Sequence, residues 1–118
     1  MNAIEERFRQ IGEERGRGSE QLVGAVLEMM IEKREIDGFE QVEPRSDLDH
    51  KGIDFLVTIQ GQEFPLQVKS SRRGLEQARE KHPKILAIRA RPGDPIERVH
   101  QRLKSELGKM RKRYLRGT

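Results

Sequence analysis

The sequence predicts a mixed α/β fold, in which a central sheet containing a hairpin is flanked by helices in the order α-αβββαβ-α. Two long segments repeat apolar residues every three or four positions, which is typical of amphipathic helices. Around Gly61, apolar and polar residues alternate, which is typical of two strands joined by a turn. With 118 residues, the chain has the length of one domain, and we treat residues 1–118 as a single unit.

Two helices are expected before the first strand. Ile4, Phe8 and Ile11 have helical spacing, and the glycines that follow make residues 1–18 a short helix and a flexible basic joint. Ser19 is a suitable cap for a second helix, which we expect to end near residues 37–38. The apolar stripe of that helix consists of Leu22, Val23, Val26, Leu27, Met30 and Ile31.

The strands follow in the second part of the chain. We expect strands at residues 39–43, 53–59, 66–70 and 85–88, with a polar loop at PRSDLDHKG and a short helix at residues 75–81. Pro65 lacks an N–H group, so it is expected at the start of its strand, at a bulge, or facing away from a neighbour. The pair Asp94-Pro95 predicts the start of a basic C-terminal helix over residues 96–118.

Composition and charge limit the classes of function. The chain has no cysteine, begins with a charged segment and lacks a long apolar run, so we expect a cytoplasmic protein without a membrane span. Residues 96–118 hold eight Lys or Arg and two Asp or Glu, a local charge of +6 in a chain of net charge +4. This distribution indicates a polyanionic partner such as DNA, or else a solvated helix face.

Three polar residues occupy the hairpin strands. Successive side chains of a strand point to opposite faces of the sheet. Asp54 therefore lies on the face opposite Ile53 and Phe55, and Gln67 and Lys69 lie on the face opposite Leu66 and Val68. One interpretation is an exposed Asp54–Lys69 ion pair. The other is a site that Glu20 joins from the second helix, where Gly24 lets the helix approach the strands. Glu20 alone could also act only as a first-turn acid.

These residues resemble the PD-(D/E)XK nuclease superfamily, which has the restriction endonuclease-like fold. The resemblance rests on RGSEQLVGAVLE, GIDF and LQVKS and covers roughly residues 18–88. The segment RGSEQLVGAVLE followed by the hairpin is similar to small archaeal Holliday junction resolvases, and the QVK form is closer to Mrr-like restriction nucleases. The resemblance implies that Asp54 binds a metal, Gln67 takes the acidic position, Lys69 is the catalytic lysine and Glu20 is the helix acid.

Two departures from the family pattern affect the expected metal site. Ile53 replaces a proline, which leaves the chemistry unchanged, and Gln67 replaces a carboxylate with a neutral amide. The implied cofactor is Mg²⁺, with Mn²⁺ as a substitute, and the ligands are Asp54, Glu20, the Gln67 amide and the Val68 carbonyl. The metal would polarise a phosphoryl oxygen and acidify a bound water, which Lys69 would orient.

Further basic and polar residues are candidates for contact with DNA phosphates, although those after the hairpin could equally form a solvated loop. His50 is assigned to loop structure, and His82 and His100 to structural roles. The apolar stripe of the last helix is expected in the core or in a dimer interface. The DNA-binding candidates are Ser70, Ser71, Arg72, Arg73, Arg15, Arg17, Lys109, Arg111, Lys112 and Arg113.

Together these features predict a metal-dependent DNA endonuclease that forms a homodimer, because two active sites are needed to cut two strands. A chain this short has little surface for reading bases, so we expect selection of DNA structure, or guidance by a protein partner. The alternatives are a non-catalytic nucleic-acid-binding protein of the same fold, and an assembly subunit whose last helix docks on another protein.

Overall fold

The computed structural model describes residues 18–116. The first predicted helix and the basic joint, with Arg15 and Arg17, lie outside these residues. The elements are α1 (Gly18–Glu32), β1 (Gly38–Gln41), α2 (Asp47–His50), β2 (Phe55–Ile59), β3 (Gln62–Lys69), α3 (Arg72–Lys81), β4 (Leu86–Arg89) and α4 (Ile96–Arg116).

The four strands form one mixed sheet in the order β1-β2-β3-β4. The pairs β1–β2 and β2–β3 are antiparallel, and β3–β4 is parallel. A parallel neighbour requires a crossover, and α3 provides it between β3 and β4. The predicted mixed α/β class, with a hairpin at the centre and flanking helices, is therefore confirmed for the described part of the chain.

The hairpin turn consists of two residues. Ile59 pairs with Gln62, and the residues between them, Gln60 and Gly61, both have positive φ angles of 50° and 79°. Two left-handed residues match the right-handed twist of the strands that they join. The turn therefore fixes the register of β2 against β3 along the hairpin.

Pro65 does not begin its strand, because β3 starts at Gln62. Pro65 pairs with Leu56 on β2, whereas pairing with β4 begins one residue later, at Leu66. Since β4 does not extend to Pro65, the missing N–H group leaves no ladder bond unmade there. The outcome agrees with the expectation that Pro65 faces away from a neighbour, and the expected strand start at residue 66 is wrong.

One face of the sheet packs against α1 and α4 to form the core. Val23, Val26 and Leu27 of α1 are fully buried, as are Val99 and Leu103 of α4. Burial of each such side chain stabilises the fold by about 1.5 to 3 kcal/mol. The stripe of α4 that was expected in the core or in a dimer interface thus lies in the core, whereas Tyr114 near its end is 44% exposed.

Several helix boundaries differ from the sequence prediction. The first described helix, α1, ends at Glu32 instead of near residue 37. Arg34 has a positive φ angle of 60°, which is incompatible with a continuing right-handed helix. The polar loop contains one helical turn, α2, where the Ser46 hydroxyl accepts a hydrogen bond from the Asp49 N–H group. Helix propensity predicts a single helical turn poorly, because isolated short helices are only marginally stable.

The start of α3 and the cap of α4 also depart from the prediction, whereas α4 begins at Ile96 as expected. Ser71 caps α3 and accepts a hydrogen bond from the Gly74 N–H group at 3.0 Å, so the helix begins at Arg72 instead of residue 75. Asp94 does not cap α4 with its side chain. Its carboxylate accepts from the Arg91 N–H group at 2.9 Å, and it stabilises the preceding turn. Among residues 18–116, no helix is long and apolar enough to cross a membrane.

Candidate metal and nucleic-acid site

Asp54 lies where the hairpin strands end. It directly precedes β2, whose first residue, Phe55, pairs with Leu66 of β3. Its carboxylate accepts a hydrogen bond from the Val68 N–H group at 2.7 Å, and its own N–H group donates to the Leu66 carbonyl at 2.8 Å. These two bonds hold the Asp54 side chain against β3.

Glu20 reaches this end of the hairpin from the first turn of α1. Its carboxyl group interacts with that of Asp54. Burial, hydrogen bonding to Asp54 and the charges of Asp54 and Asp49 raise the pKa of Glu20 to about 7. Carboxyl groups this close repel each other when both are ionised, so they share a proton or bind a cation.

Gln67 is a buried polar residue with an unsatisfied oxygen. Its side chain is 6% exposed, and within the described part of the chain its Oε1 atom has no hydrogen-bond partner. Such a buried acceptor costs about 1 to 3 kcal/mol. An amide oxygen that lacks a donor is available to a cation, because cations of the Mg²⁺ type prefer oxygen ligands.

Gly52 makes room for the Gln67 amide. It has a positive φ angle of 84°, and a Cβ atom there would lie 2.8 Å from the Gln67 Nε2 atom. By contrast, a Cβ atom on Gly24 would meet the Phe55 ring at 3.7 Å, an ordinary contact. Gly24 therefore faces the sheet at Phe55, but an alanine would fit there as well. Gly52 of the GIDF segment is the glycine that the position of the Gln67 amide requires.

Lys69 is half-buried at the end of β3. Among residues 18–116, no ion pair joins it to Asp54, so the exposed cross-strand pair is not formed. The first turn of α3 lies over its stem, and a Cβ atom on Gly74 would be 3.6 Å from Lys69 Cβ. In the parallel register its neighbour on β4 is Arg89.

The oxygen atoms at this end suit a hard divalent cation that keeps several waters. They comprise the paired carboxyl groups of Glu20 and Asp54 and the amide of Gln67. Across the described residues, no group of three or more His, Cys, Asp or Glu side chains is placed to hold a metal ion. A cation here therefore depends on the Gln67 amide, on main-chain oxygen such as the Val68 carbonyl and on water.

The neighbouring loop is occupied by its own hydrogen bonds. The Asp49 carboxylate accepts from the Arg45 N–H group at 2.9 Å, which stabilises the turn before α2. His50 is exposed at the end of that helix. His50 was expected in a loop, but it lies in this helical turn. His100 has a structural contact too, because its Nε2 atom is hydrogen-bonded to Glu35 at 2.7 Å.

The DNA-binding candidates after the hairpin lie near Lys69. Ser71 is the cap of α3, and Arg72 and Arg73 form its exposed first turn, so this segment is a helix start and not a loop. The Ser70 carbonyl accepts a hydrogen bond from the Arg91 Nε atom at 3.1 Å. This contact connects the end of β3 to the chain that follows β4.

The candidates near the end of α4 lie elsewhere. Arg111 donates to the Gln60 side chain at 2.7 Å, which places it beside the hairpin turn. Because β3 has eight residues, the turn and Lys69 are about 23 Å apart. Lys109 is paired with Glu106 at 3.4 Å, and Lys112 and Arg113 are exposed. The structure therefore does not bring this group to the candidate site.

Arg89, a basic residue next to Lys69, was missed by the sequence analysis. Arg89 is the parallel partner of Lys69, and Arg102 donates to the Arg89 carbonyl at 3.0 Å. The signal was present in the segment ILAIRAR, where arginines alternate with small apolar residues at the end of a strand. It was overlooked because basic residues were counted by segment, and β4 places Arg89 beside a residue 20 positions earlier.

Comparisons of the chain with family models, with curated proteins and with solved structures find no match. The functional assignment therefore rests on the geometry of this site and on the resemblance of its motif.

Proposed function

We propose that the chain is a metal-dependent DNA endonuclease with a restriction endonuclease-like core. The observation that carries the proposal is the contact between the Glu20 and Asp54 carboxyl groups beside the unsatisfied Gln67 amide oxygen. This combination leaves negative charge and an unused acceptor at one point, beside Lys69 at the end of β3. A structural role alone gives no reason to keep two acids in contact and an amide unpaired.

Each residue has a distinct role in the proposed site. Asp54, Glu20 and Gln67 hold the cation, together with the Val68 carbonyl. When bound, a divalent cation polarises a phosphoryl oxygen and acidifies water. The Val68 N–H group orients Asp54. Lys69 places its ammonium beside the reacting phosphate, where it orients water or stabilises developing charge. Mg²⁺ is the proposed cofactor, and Mn²⁺ substitutes for it.

The order and direction of the strands support the restriction endonuclease-like core that we propose. An antiparallel β1–β2–β3 unit is followed by a helix and a parallel β4, after a helix that carries Glu20. This is the order that the family resemblance implies. We propose a homodimer that selects DNA structure or is guided by a protein partner, because one domain of this size has little surface for reading bases.

A specific observation favours a second candidate, a non-catalytic nucleic-acid-binding protein of the same fold. Gln67 supplies no charge, and the described residues include no cluster of three acidic or imidazole side chains. Such a site binds Mg²⁺ weakly. In this case the arginines near Lys69 would bind phosphate, and the raised pKa of Glu20 would leave its carboxyl group partly protonated.

Cleavage assays distinguish these candidates. The substrates are supercoiled plasmid, linear duplex, four-way junction and flap DNA, each with Mg²⁺, Mn²⁺ or chelator. We expect Lys69→Ala to reduce metal-dependent cutting at least ~100-fold, because a group that stabilises transition-state charge contributes on this scale. Lys84→Ala, at an exposed lysine before β4, is the matched control and should cut normally.

The outcomes separate the two functions. Cutting that is lost only in Lys69→Ala supports the nuclease, and cutting that persists in Lys69→Ala refutes the proposed role of Lys69. If the folded wild type binds DNA with salt-dependent affinity but never cuts, the non-catalytic candidate is favoured.

A further inference from the structure

A groove lies between α3 and α4, along the outer side of β4. It encloses about 460 Å³ and is lined by residues of all three elements. This volume falls in the range of ordinary ligand sites and is too small for a DNA duplex. Five of the lining residues are arginines, namely Arg72, Arg79, Arg89, Arg98 and Arg102.

The charge of the groove is only partly balanced. Glu106 lies 3.9 Å from Arg79, and Asp94 lies 3.4 Å from Arg102. Within the described residues, neither Arg72 nor Arg98 has an ion-pair partner. The charges of Arg72 and Arg102 act unfavourably on that of Arg89, so an anion in the groove would lower the electrostatic energy.

Arg89 gives a second, independent sign of a missing ligand. Its Nε atom is buried and, within residues 18–116, has no hydrogen-bond partner. Burial and the charges of Arg91, Arg72 and Arg102 lower the pKa of Arg89 below the usual range, although a guanidinium stays charged in proteins. A phosphate oxygen is the acceptor that a guanidinium binds best, often with two parallel hydrogen bonds.

The groove begins beside the candidate site. Lys69 and Arg89 are parallel register partners, and adjacent strands are about 4.8 Å apart. Arg72, at the start of α3, follows Lys69 by three residues and lines the groove. A chain with a phosphate at Lys69 can therefore continue directly into the groove.

We infer that this groove binds the sugar-phosphate backbone of a single nucleic-acid strand, next to the phosphate that is bound at Lys69. The inference rests on the proposed function and narrows its substrate class. The preferred DNA has an unpaired strand at the reaction site, as in a flap or a frayed end, because an uninterrupted duplex does not fit between α3 and α4.

The test compares two double variants that each remove two exposed arginine or lysine charges. Arg72→Gln/Arg98→Gln changes the groove, whereas Lys112→Gln/Arg113→Gln changes the far end of α4. The probes are a fluorescein-labelled 20-nucleotide single strand and a blunt 20-base-pair duplex, titrated in chelator and measured by fluorescence anisotropy. Circular dichroism and thermal unfolding establish that both variants are folded.

We expect the groove variant to bind the single strand at least ~10-fold more weakly than wild type does. Its salt dependence, the slope of log K against log salt, should fall by about 1.4, because two phosphate contacts of a single strand are lost. The far-end variant should stay within about twofold of wild type, and wild type should prefer the single strand to the duplex. Equal losses in both variants, or an unchanged groove variant, overturn the inference.

A third variant tests the geometry without loss of charge. Arg89→Lys keeps the positive charge but removes the two-pronged donor, so we expect single-strand binding to weaken at least ~3-fold. Unchanged binding would contradict a direct contact. Because all titrations are done in chelator, groove binding without cleavage refutes only the nuclease, and Lys69-dependent cleavage without groove binding refutes only this inference.

Discussion

Two glutamates at opposite ends of α1 meet opposite environments. Glu35, just beyond the C-terminal end, is bonded to His100 at 2.7 Å and to Lys104 at 2.9 Å. Glu20, at the N-terminal end, faces the carboxyl group of Asp54. Burial alone would raise the pKa of Glu35, but the hydrogen bonds and charges of Lys104 and His100 lower it. Burial and Asp54 both raise the pKa of Glu20, to about 7.

This difference separates a stabilising cluster from the proposed binding site. The Glu35 cluster connects α1 to α4 and has its charges matched, so it needs nothing further. The cluster of Glu20, Asp54 and Gln67 has two acids in contact and an amide oxygen without a partner. Conformations of this kind persist in proteins where a ligand stabilises them. Three predictions test whether the contrast holds.

The largest expected effect concerns Gly52. Gly52→Ala should lower the free energy of unfolding by at least about 2 kcal/mol, because alanine strains the positive φ angle and its Cβ atom displaces the Gln67 amide. The matched control is Gly61→Ala, which has a similar φ angle of 79° but nothing within 4 Å of the new Cβ atom. That variant should lose only about 1 kcal/mol.

Chemical denaturation of both variants measures the difference. Equal losses would show that the Gln67 amide moves aside freely and is not fixed by Gly52. A larger loss for Gly52→Ala, accompanied by weaker metal binding, would show that the glycine serves the site as well as the turn.

The next effect concerns the matched cluster. Glu35→Gln should destabilise the protein by about 1 to 2 kcal/mol at neutral pH, because the charged partners of Glu35 lose a carboxylate. Stability conferred by the lowered pKa of Glu35 is present at neutral pH and disappears as the pH falls below the usual range for glutamate. Urea denaturation at pH 7 and pH 4 measures this pH-dependent stability. A Glu35→Gln variant as stable as wild type at pH 7 would contradict the stabilising role of the Glu35 cluster.

The smallest effect concerns Glu20, whose effect on stability changes with pH in the direction opposite to that of Glu35. The pKa of Glu20 is raised from 4.5 to about 7 on folding, so in chelator the folded protein should lose stability as the pH rises from about 4.5 to 7. The loss should not exceed about 1 kcal/mol, because the Glu20 carboxyl group is only partly buried and water screens its charge. Glu20→Gln should remove this dependence and match or exceed wild-type stability at pH 8. A variant that is less stable than wild type at pH 8 would refute the repulsion between Glu20 and Asp54.

Sequence patterns predicted the elements of the fold well where burial determines them. Val23, Leu27, Val99 and Leu103 have helical spacing and occupy the core. The polar residues of the hairpin were also found, because Gln67 and Lys69 break the apolar alternation of a strand. Their chemical role came from the resemblance to nucleases, and no comparison with known proteins supports or opposes it.

The features that could not be predicted from the sequence depend on contacts between segments that are distant along the chain. The proximity of Arg89 to Lys69 follows from a parallel register, which requires the crossover through α3. The role of Gly52 follows from the position of an amide 15 residues later. The separation of Arg111 from the site follows from its contact with the hairpin turn. None of these is encoded by local spacing.

The central claim is that Glu20, Asp54 and Gln67 together bind a divalent cation, and Mn²⁺ line broadening in amide NMR spectra tests it most directly. At substoichiometric Mn²⁺, we predict that the amide signals of Asp54 and Val68 broaden first, while those of Glu35 and His100 stay sharp. Asp54→Asn should abolish the selective broadening. Uniform broadening at all exposed carboxylates, or selective broadening that survives Asp54→Asn, would contradict the account.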